Sequence, residues 1–424
     1  MTSDRVGWKK HGVQALIDAG VLSINDGYRA KNVELGEDGL PFARAANINA
    51  GFQLEEVDHL QWDRVERAGV KRSRAGDVVF TSKGTVGRFA FVQPDTREFV
   101  YSPQLCFWRV LDRTVIEPRF LYYWMHGREC EGQFNAAKGS TDMADYISLR
   151  DQRGMSMTCP PVDDQRRIVG VLGSLDDKIE CNRRLARTLD EIAATLFKAR
   201  FVDFLGHEDF VDSQIGPIPA GWTVDRLGNH AETVLGGTPS RARDEYWTDG
   251  VVPWINSGKV NEFRILEPTA LITEEALDNS AAKLMPSGTT VVAITGATLG
   301  QVSRLELDAS ANQSVIGILG NDRLPDEFLF FWIRQRIADL LSRQTGAAQQ
   351  HINKGDVNDL SLLLPPEDEV SEFHQQTAPL LRRTASALLE SRTLEGIRDT
   401  MLPWLISGKT ELVQEPELLS TRAP

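Results

Sequence analysis

The segment from Pro160 to Leu205 constrains the fold more than any other stretch. Ile168, Leu172, Leu175, Ile179, Asn182, Ala186, Leu189, Ala193 and Leu196 recur at alternating steps of four and three, which is a heptad seam. Leu185, Ile192 and Phe197 widen the stripe, and the other faces mix Arg, Lys, Asp and Glu as solvated helix faces do. Pro160 and Pro161 stand before the start, and Asp163 and Asp164 fall in the first turn, where the helix dipole favours acids. The pattern predicts one helix of roughly 40 residues, about 60 Å long. Such a helix needs a partner for its seam. One follows roughly 205 positions later, where Pro365 and Pro366 repeat the double proline and Phe373, Leu380, Ala387, Leu394 and Met401 repeat the seam. Pro379 and Gly396 are expected to bend this second copy.

The repeat extends beyond the helices. Gly76 to Val92 and Ser287 to Leu305 each read as a β-branched strand, a turn ending in Gly-Thr-Val-Gly or Ala-Thr-Leu-Gly, and a second strand. Leu40 to Ile48 parallels Val252 to Val260, and the aromatic segment Pro118 to Gly127 parallels Asp326 to Gln335. Lys138 to Asp151 then parallels Thr345 to Asp356. Each half is thus predicted as a mixed α/β globule followed by its long helix. The halves diverge in their loops: Leu235 to Trp247 of the second corresponds to Ile24 to Asn32 of the first. A shared scaffold with divergent loops suits one fold that reads two ligands.

Composition narrows the function. No apolar run reaches the length of a membrane span, and the N-terminus lacks a signal-peptide core. The four cysteines form no CxxC pair, so the cytosol is the expected compartment and a zinc site is not expected. The net charge of −13 is unevenly spread: residues up to Cys159 balance, whereas Gly206 to Leu364 carry −9. A nucleic-acid surface would therefore need its basic residues gathered on one face. Intrinsic catalysis is not indicated. The double prolines lack the flanks of an amino-methyltransferase motif, and Ser407 to Thr410 matches a phosphate loop only in part, since Pro403 stands where glycine is required. Asp176, Asp177 and Lys178 lie on the heptad helix and read as a solvated face.

The segments PPVDDQRRIVGVLGSLDDKI, LARTLDEIAATLFKARFVDF, GPIPAGW, TGATLG and HINKGDV before LLLPPEDE resemble the specificity subunit of type I restriction–modification systems. That resemblance covers nearly the whole chain. It implies an α+β fold of two target-recognition domains, 1–159 and 206–364. Each is followed by a long spacer helix, 160–205 and 365–410, and a polar tail, 411–424, closes the chain. The helices would pack as an antiparallel coiled coil with pseudo-two-fold symmetry. The implied role is a non-catalytic reader of a bipartite site in double-stranded DNA, docking two modification (methyltransferase) subunits and, with them, restriction endonuclease subunits. The chain would hold no cofactor, since S-adenosylmethionine and ATP belong to those partners. The first half departs from the family pattern in lacking a clear GxTP opening and in carrying MADYIS where the second has QQHINK. The rival class is a coiled-coil scaffold with no nucleic-acid role.

Arg suits guanine edges, Asn and Gln suit adenine edges, and Lys, Ser and Thr suit phosphates. The expected DNA contacts are accordingly Tyr28, Arg29, Lys31, Arg44, Lys83, Thr85 and Lys138 in the first half. In the second they are Thr238, Ser240, Arg241, Arg243, Lys259, Thr298, Gln349, Gln350 and His351. Each alternatively reads as an ordinary exposed polar residue, and His351 equally as a structural cap. The basic run Lys71, Arg72 and Arg74 reads as well as a solvated strand entry. Leu185, Phe197, Phe201 and Phe204 are expected to form an exposed stripe that docks partner helices.

Overall fold

A computed structural model of the chain describes residues 7–48, 51–138, 145–343 and 351–408. The chain divides into two compact units, one of residues 1–178 with 394–424 and the other of residues 179–393. The two heptad segments are helices Val162–Phe201 and Glu367–Ile406, each of 40 residues. The second runs unbroken through Gly396 and through Pro379, which is exposed. The division falls inside both helices, so each unit holds a stretch of each.

In the first unit, strand Lys9–Gly12 pairs antiparallel with Ser156–Cys159 and closes the globule. A four-stranded antiparallel sheet follows the spatial order Leu22–Asp26, Leu105–Val110, Val78–Thr81, Phe89–Phe91. The expected hairpin is its last pair, with Val78 opposite Phe91. A second sheet includes Leu40–Ala43 paired in parallel with Val100–Tyr101. Alternating side chains of the first sheet bury Val78, Phe80, Cys106 and Trp108 against helix Pro118–Met125, whose Phe120, Leu121 and Trp124 are also buried. Ile168 and Leu172 of the first long helix and Leu405 and Ile406 of the second complete this core. Asp176 accepts hydrogen bonds from the Tyr123 hydroxyl (2.6 Å) and from Arg398 (2.9 Å), which ties both helix segments to the globule.

The second unit repeats the plan. Strand Thr223–Arg226 pairs antiparallel with Ser361–Leu364. Its main sheet has the order Glu232–Leu235, Val315–Leu319, Thr290–Ala293, Val302–Arg304, and its smaller sheet pairs Val252–Ile255 in parallel with Ser310–Ala311. Helix Asp326–Ser342 packs on the sheet through Phe328, Leu329, Phe331 and Trp332. Within this unit the two long-helix segments run in opposite senses. Asn182 donates to Glu390 (3.0 Å), and the Phe197 ring lies 5.6 Å from that of Phe373. The seam positions Ile179, Asn182, Ala186 and Ala193 are buried, as the heptad pattern requires. Thr377, Thr384 and Ser391 are also buried and satisfy their hydroxyls on carbonyls one turn back, at Phe373, Leu380 and Ala387.

The expected docking stripe is corrected here. Phe197 and Phe201 are 0% and 1% exposed, enclosed by the rings of Phe328, Phe331, Phe373 and Trp222. They are core of the second unit. Leu185 and Phe204 are half-buried, with Phe204 packed on Phe210 and Trp222. A buried charge cluster also anchors the long helix to this unit. Arg264 pairs with Asp190 of the helix and, at 3.2 Å, with Glu306, while Arg334 reaches Asp190 from the packed helix.

Candidate nucleic-acid interface

Strand direction decides which loops meet. In the first unit Asp26 lies opposite Cys106 and Thr81 opposite Leu105, so two strands end where a third begins. The loops 27–34, 82–88 and 102–104 therefore leave one edge of the sheet. Ala43 ends at the same place, because its carbonyl accepts the Ser102 N–H at 2.9 Å. The second unit repeats this edge with Leu235 opposite Ile316 and Ala293 opposite Val315. Its Asn312 N–H donates to Ile255 at 2.9 Å. Loops 236–247, 256–261, 294–301 and 312–314 converge there.

The loop exits match bond for bond. Gly27 donates to the Leu105 carbonyl and Gly236 to that of Val315, both at 3.0 Å. Tyr28 donates to Tyr101 at 2.7 Å, and Gly237 to Ala311 at 2.8 Å. A Cβ at Gly27 would stand 2.0 Å from the Ser102 carbonyl oxygen, and one at Gly236 would stand 2.1 Å from that of Asn312. Only glycine lets the two backbones approach this closely. The hairpin turns are held alike. Ile147 donates to Ser82 and Ile352 to Ile294, both at 3.0 Å, with isolated bridges Lys83–Tyr146 and Thr295–His351 alongside. Ser148 with Asp151, and Asn353 with Asp356, then form reciprocal helix caps.

The fold brings most expected contacts to this edge, in different states. Arg29, Lys31, Lys83 and Thr85 are exposed. Tyr28 is half-buried with its hydroxyl on Glu34 (3.3 Å); burial, then the Glu34 charge, pushes its phenol above the usual value. Arg44 pairs with Asp58 at 2.6 Å, and Lys138 reaches the Val86 carbonyl at 3.5 Å beside the turn. In the second unit the Thr238 hydroxyl donates to Gln313 Oε1 (2.6 Å), and Arg243 donates to the Tyr246 hydroxyl (2.6 Å). Ser240, whose carbonyl accepts from Trp247 Nε1 at 3.2 Å, and Arg241 are exposed. The Thr298 hydroxyl turns to the Thr295 carbonyl at 3.4 Å, and His351 is exposed. Gln349 and Gln350 lie outside the described residues.

Lys259 does not present a free charge. Its side chain is 15% exposed, and its ammonium bonds to Glu262 (2.7 Å) and Glu267 (3.1 Å). Burial alone would lower its pKa, but these two bonds prevail and hold it above the usual lysine value. Lys71 and Arg72 likewise spend their charges, on Asp26 (2.8 Å) and on Glu98 (2.7 Å). Three exposed residues at the edge were missed from the sequence. Tyr146, 46% exposed, occupies the bridge position equivalent to His351, so aligning the two halves would have found it. Gln104 and Gln313 open the central strand of each edge and sit in no motif.

The comparisons agree with this architecture. Residues 219–386 match the family described as the type I restriction modification DNA specificity domain. The specificity subunit of the type I restriction enzyme HindI from Haemophilus influenzae is 23% identical over 408 residues, covering 80% of this chain and 87% of that protein. The MjaIX specificity subunit from Methanocaldococcus jannaschii is 22% identical over 342 residues, covering 79% and 77%. The crystal structure of a type I restriction-modification system S subunit from M. genitalium shares the fold, with a TM-score of 0.60 at 13% identity across 96% of this chain and 97% of that one. No helix among the described residues is long and apolar enough to cross a membrane. With a duplicated globule-and-helix plan and a type I restriction modification DNA specificity domain matched over residues 219–386, the chain is similar along most of its length to type I restriction enzyme specificity subunits.

Proposed function

We propose that this chain reads a bipartite DNA target, each unit taking one part through the loop edge described above. The observation that carries the reading is the duplicated edge itself. Two sheets present their loops through the same backbone bonds, while the side chains on those loops differ. A shared mount with exchanged tips is what two different half-sites demand. The long helices act as the spacer, pairing as an antiparallel coiled coil with pseudo-two-fold symmetry; the opposed contacts inside the second unit support that pairing. Modification subunits dock on this frame and supply the methyl transfer, restriction subunits join them, and this chain adds no catalytic step of its own.

The test is a band shift of the full chain with its modification subunits, on duplexes with and without the methylated motif, at low and high salt. The reading predicts sequence-selective binding whose affinity falls steeply as salt rises, because phosphate contacts release counterions. No affinity for DNA at low salt would leave a scaffold role instead.

A further inference from the structure

Resting on that reading, we propose that Arg241 reads a guanine in the half-site taken by the second unit, and that Trp247 is the platform that positions it. Four of the basic or hydroxyl-bearing neighbours at this edge are already engaged. Lys259 is held by two carboxylates, Arg243 by the Tyr246 hydroxyl, Thr238 by Gln313, and Thr298 by a backbone carbonyl. Arg241 differs. Its guanidinium carbon lies 3.4 Å from the Trp247 ring centroid and 5.4 Å from that of Trp254. Among the described residues no carboxylate or other acceptor takes its N–H groups, and the residue is exposed.

The platform is itself fixed. Trp247 and Trp254 meet edge to face at 5.2 Å, Trp247 Nε1 donates to the Ser240 carbonyl, and Trp254 Nε1 donates to the Gly237 carbonyl at 3.1 Å. A Cβ at Gly237 would stand 2.4 Å from the Ala281 backbone, so the root of the loop is clamped as well. A guanidinium lying on a rigid indole keeps its face occupied and its edge of parallel N–H donors open. Guanine offers the matching pair, O6 and N7, in the major groove. Stacking also removes most of the rotamer freedom that such a contact would otherwise cost. A phosphate also accepts the two-pronged guanidinium, but a point charge serves it, whereas a base edge needs the planar fork held in one orientation.

The experiment compares the wild-type chain with Arg241→Ala, Arg241→Lys and Trp247→Leu, each full-length and co-expressed with the modification subunits. It reads the methylated motif in cellular DNA and the affinities for a library of duplexes. A wild-type motif with a guanine in one half-site is expected. Arg241→Ala should make that one position degenerate, with roughly a 5- to 150-fold loss of discrimination there, while the other half-site is read unchanged. Arg241→Lys should not restore it, and Trp247→Leu should relax the same position. The intact second reading would show that the variants fold. If Arg241→Ala weakens all sequences equally and flattens the salt dependence, or leaves the motif unaltered, or if the wild-type motif has no guanine at the affected half-site, the assignment is overturned. A wild-type chain with no sequence preference would instead overturn the reading on which it rests.

Discussion

Phe197 offers the sharpest test of where the long helix ends its surface and begins its core. Its ring touches those of Phe201, Phe328, Phe331 and Phe373 and is fully buried. Truncating a buried phenylalanine removes its transfer energy and leaves a cavity that rigid neighbours close only in part. Phe197→Ala should therefore cost about 3–5 kcal/mol. For a unit of roughly 200 residues each kcal/mol moves the melting midpoint by about 2–4 °C, so the transition of the second unit should fall by about 6–20 °C. Ile192→Ala, on an exposed position of the same helix, should stay within about 0.5 kcal/mol. Calorimetry or urea melts of the purified chain measure both. If Phe197→Ala melts like the wild type while losing its modification subunits, the residue is docking surface after all and the core assignment is wrong.

Three further outcomes follow from particular residues. Arg264→Ala removes one of the two cationic partners of each buried carboxylate, leaving Asp190 with Arg334 and Glu306 with Arg304, and should cost up to about 3–5 kcal/mol by urea melt; a loss under about 1 kcal/mol would show that the remaining partners suffice. Gly236→Ala forces a Cβ against the Asn312 carbonyl oxygen and should blur the half-site read by the second unit, leaving the other intact in the methylated motif, whereas Gly27→Ala should do the reverse. Burial raises the thiols of Cys106 and Cys130 and pushes that of Cys159 up to about 11, while Cys181 is exposed. Iodoacetamide at about pH 8 should thus label Cys181 alone in the folded chain, and equal labelling of Cys159 would contradict its burial. The sign of the pH effect follows: the folded state keeps the Cys159 proton that the unfolded chain sheds from about pH 8.5 upward, so stability should fall as pH rises through that window.

Much of the architecture was legible because it is periodic. The seam from Ile168 to Leu196 and the double prolines located both long helices to within a few residues, and β-branched alternation located the hairpins at Val78–Phe91 and Thr290–Arg304. Repetition set MADYIS against QQHINK, and the isolated bridges place Tyr146 at the position of His351, a contact the sequence reading missed in the first copy. Periodicity shows that a helix has an apolar face and leaves open what covers its flank. Phe197 and Phe201 looked like free surface because Phe328 and Phe331, which enclose them, come from a distant helix. Lys259 looked like a DNA contact because Glu267 approaches it only after the chain turns back on itself. Arg241 stood among several loop cations, and the indole beneath it sets it apart.

The proposed function requires paired helices that hold two readers at a fixed separation. Sequencing of methylated DNA from cells carrying the wild-type system, and from cells in which both long helices gain one heptad, tests it most directly. Seven residues add about 10 Å of helix, close to three base pairs of duplex. The account predicts an interrupted motif whose two read parts are unchanged by the insertion while the unread gap grows by about three base pairs. A continuous wild-type motif, or a gap that keeps its length after the insertion, would contradict it.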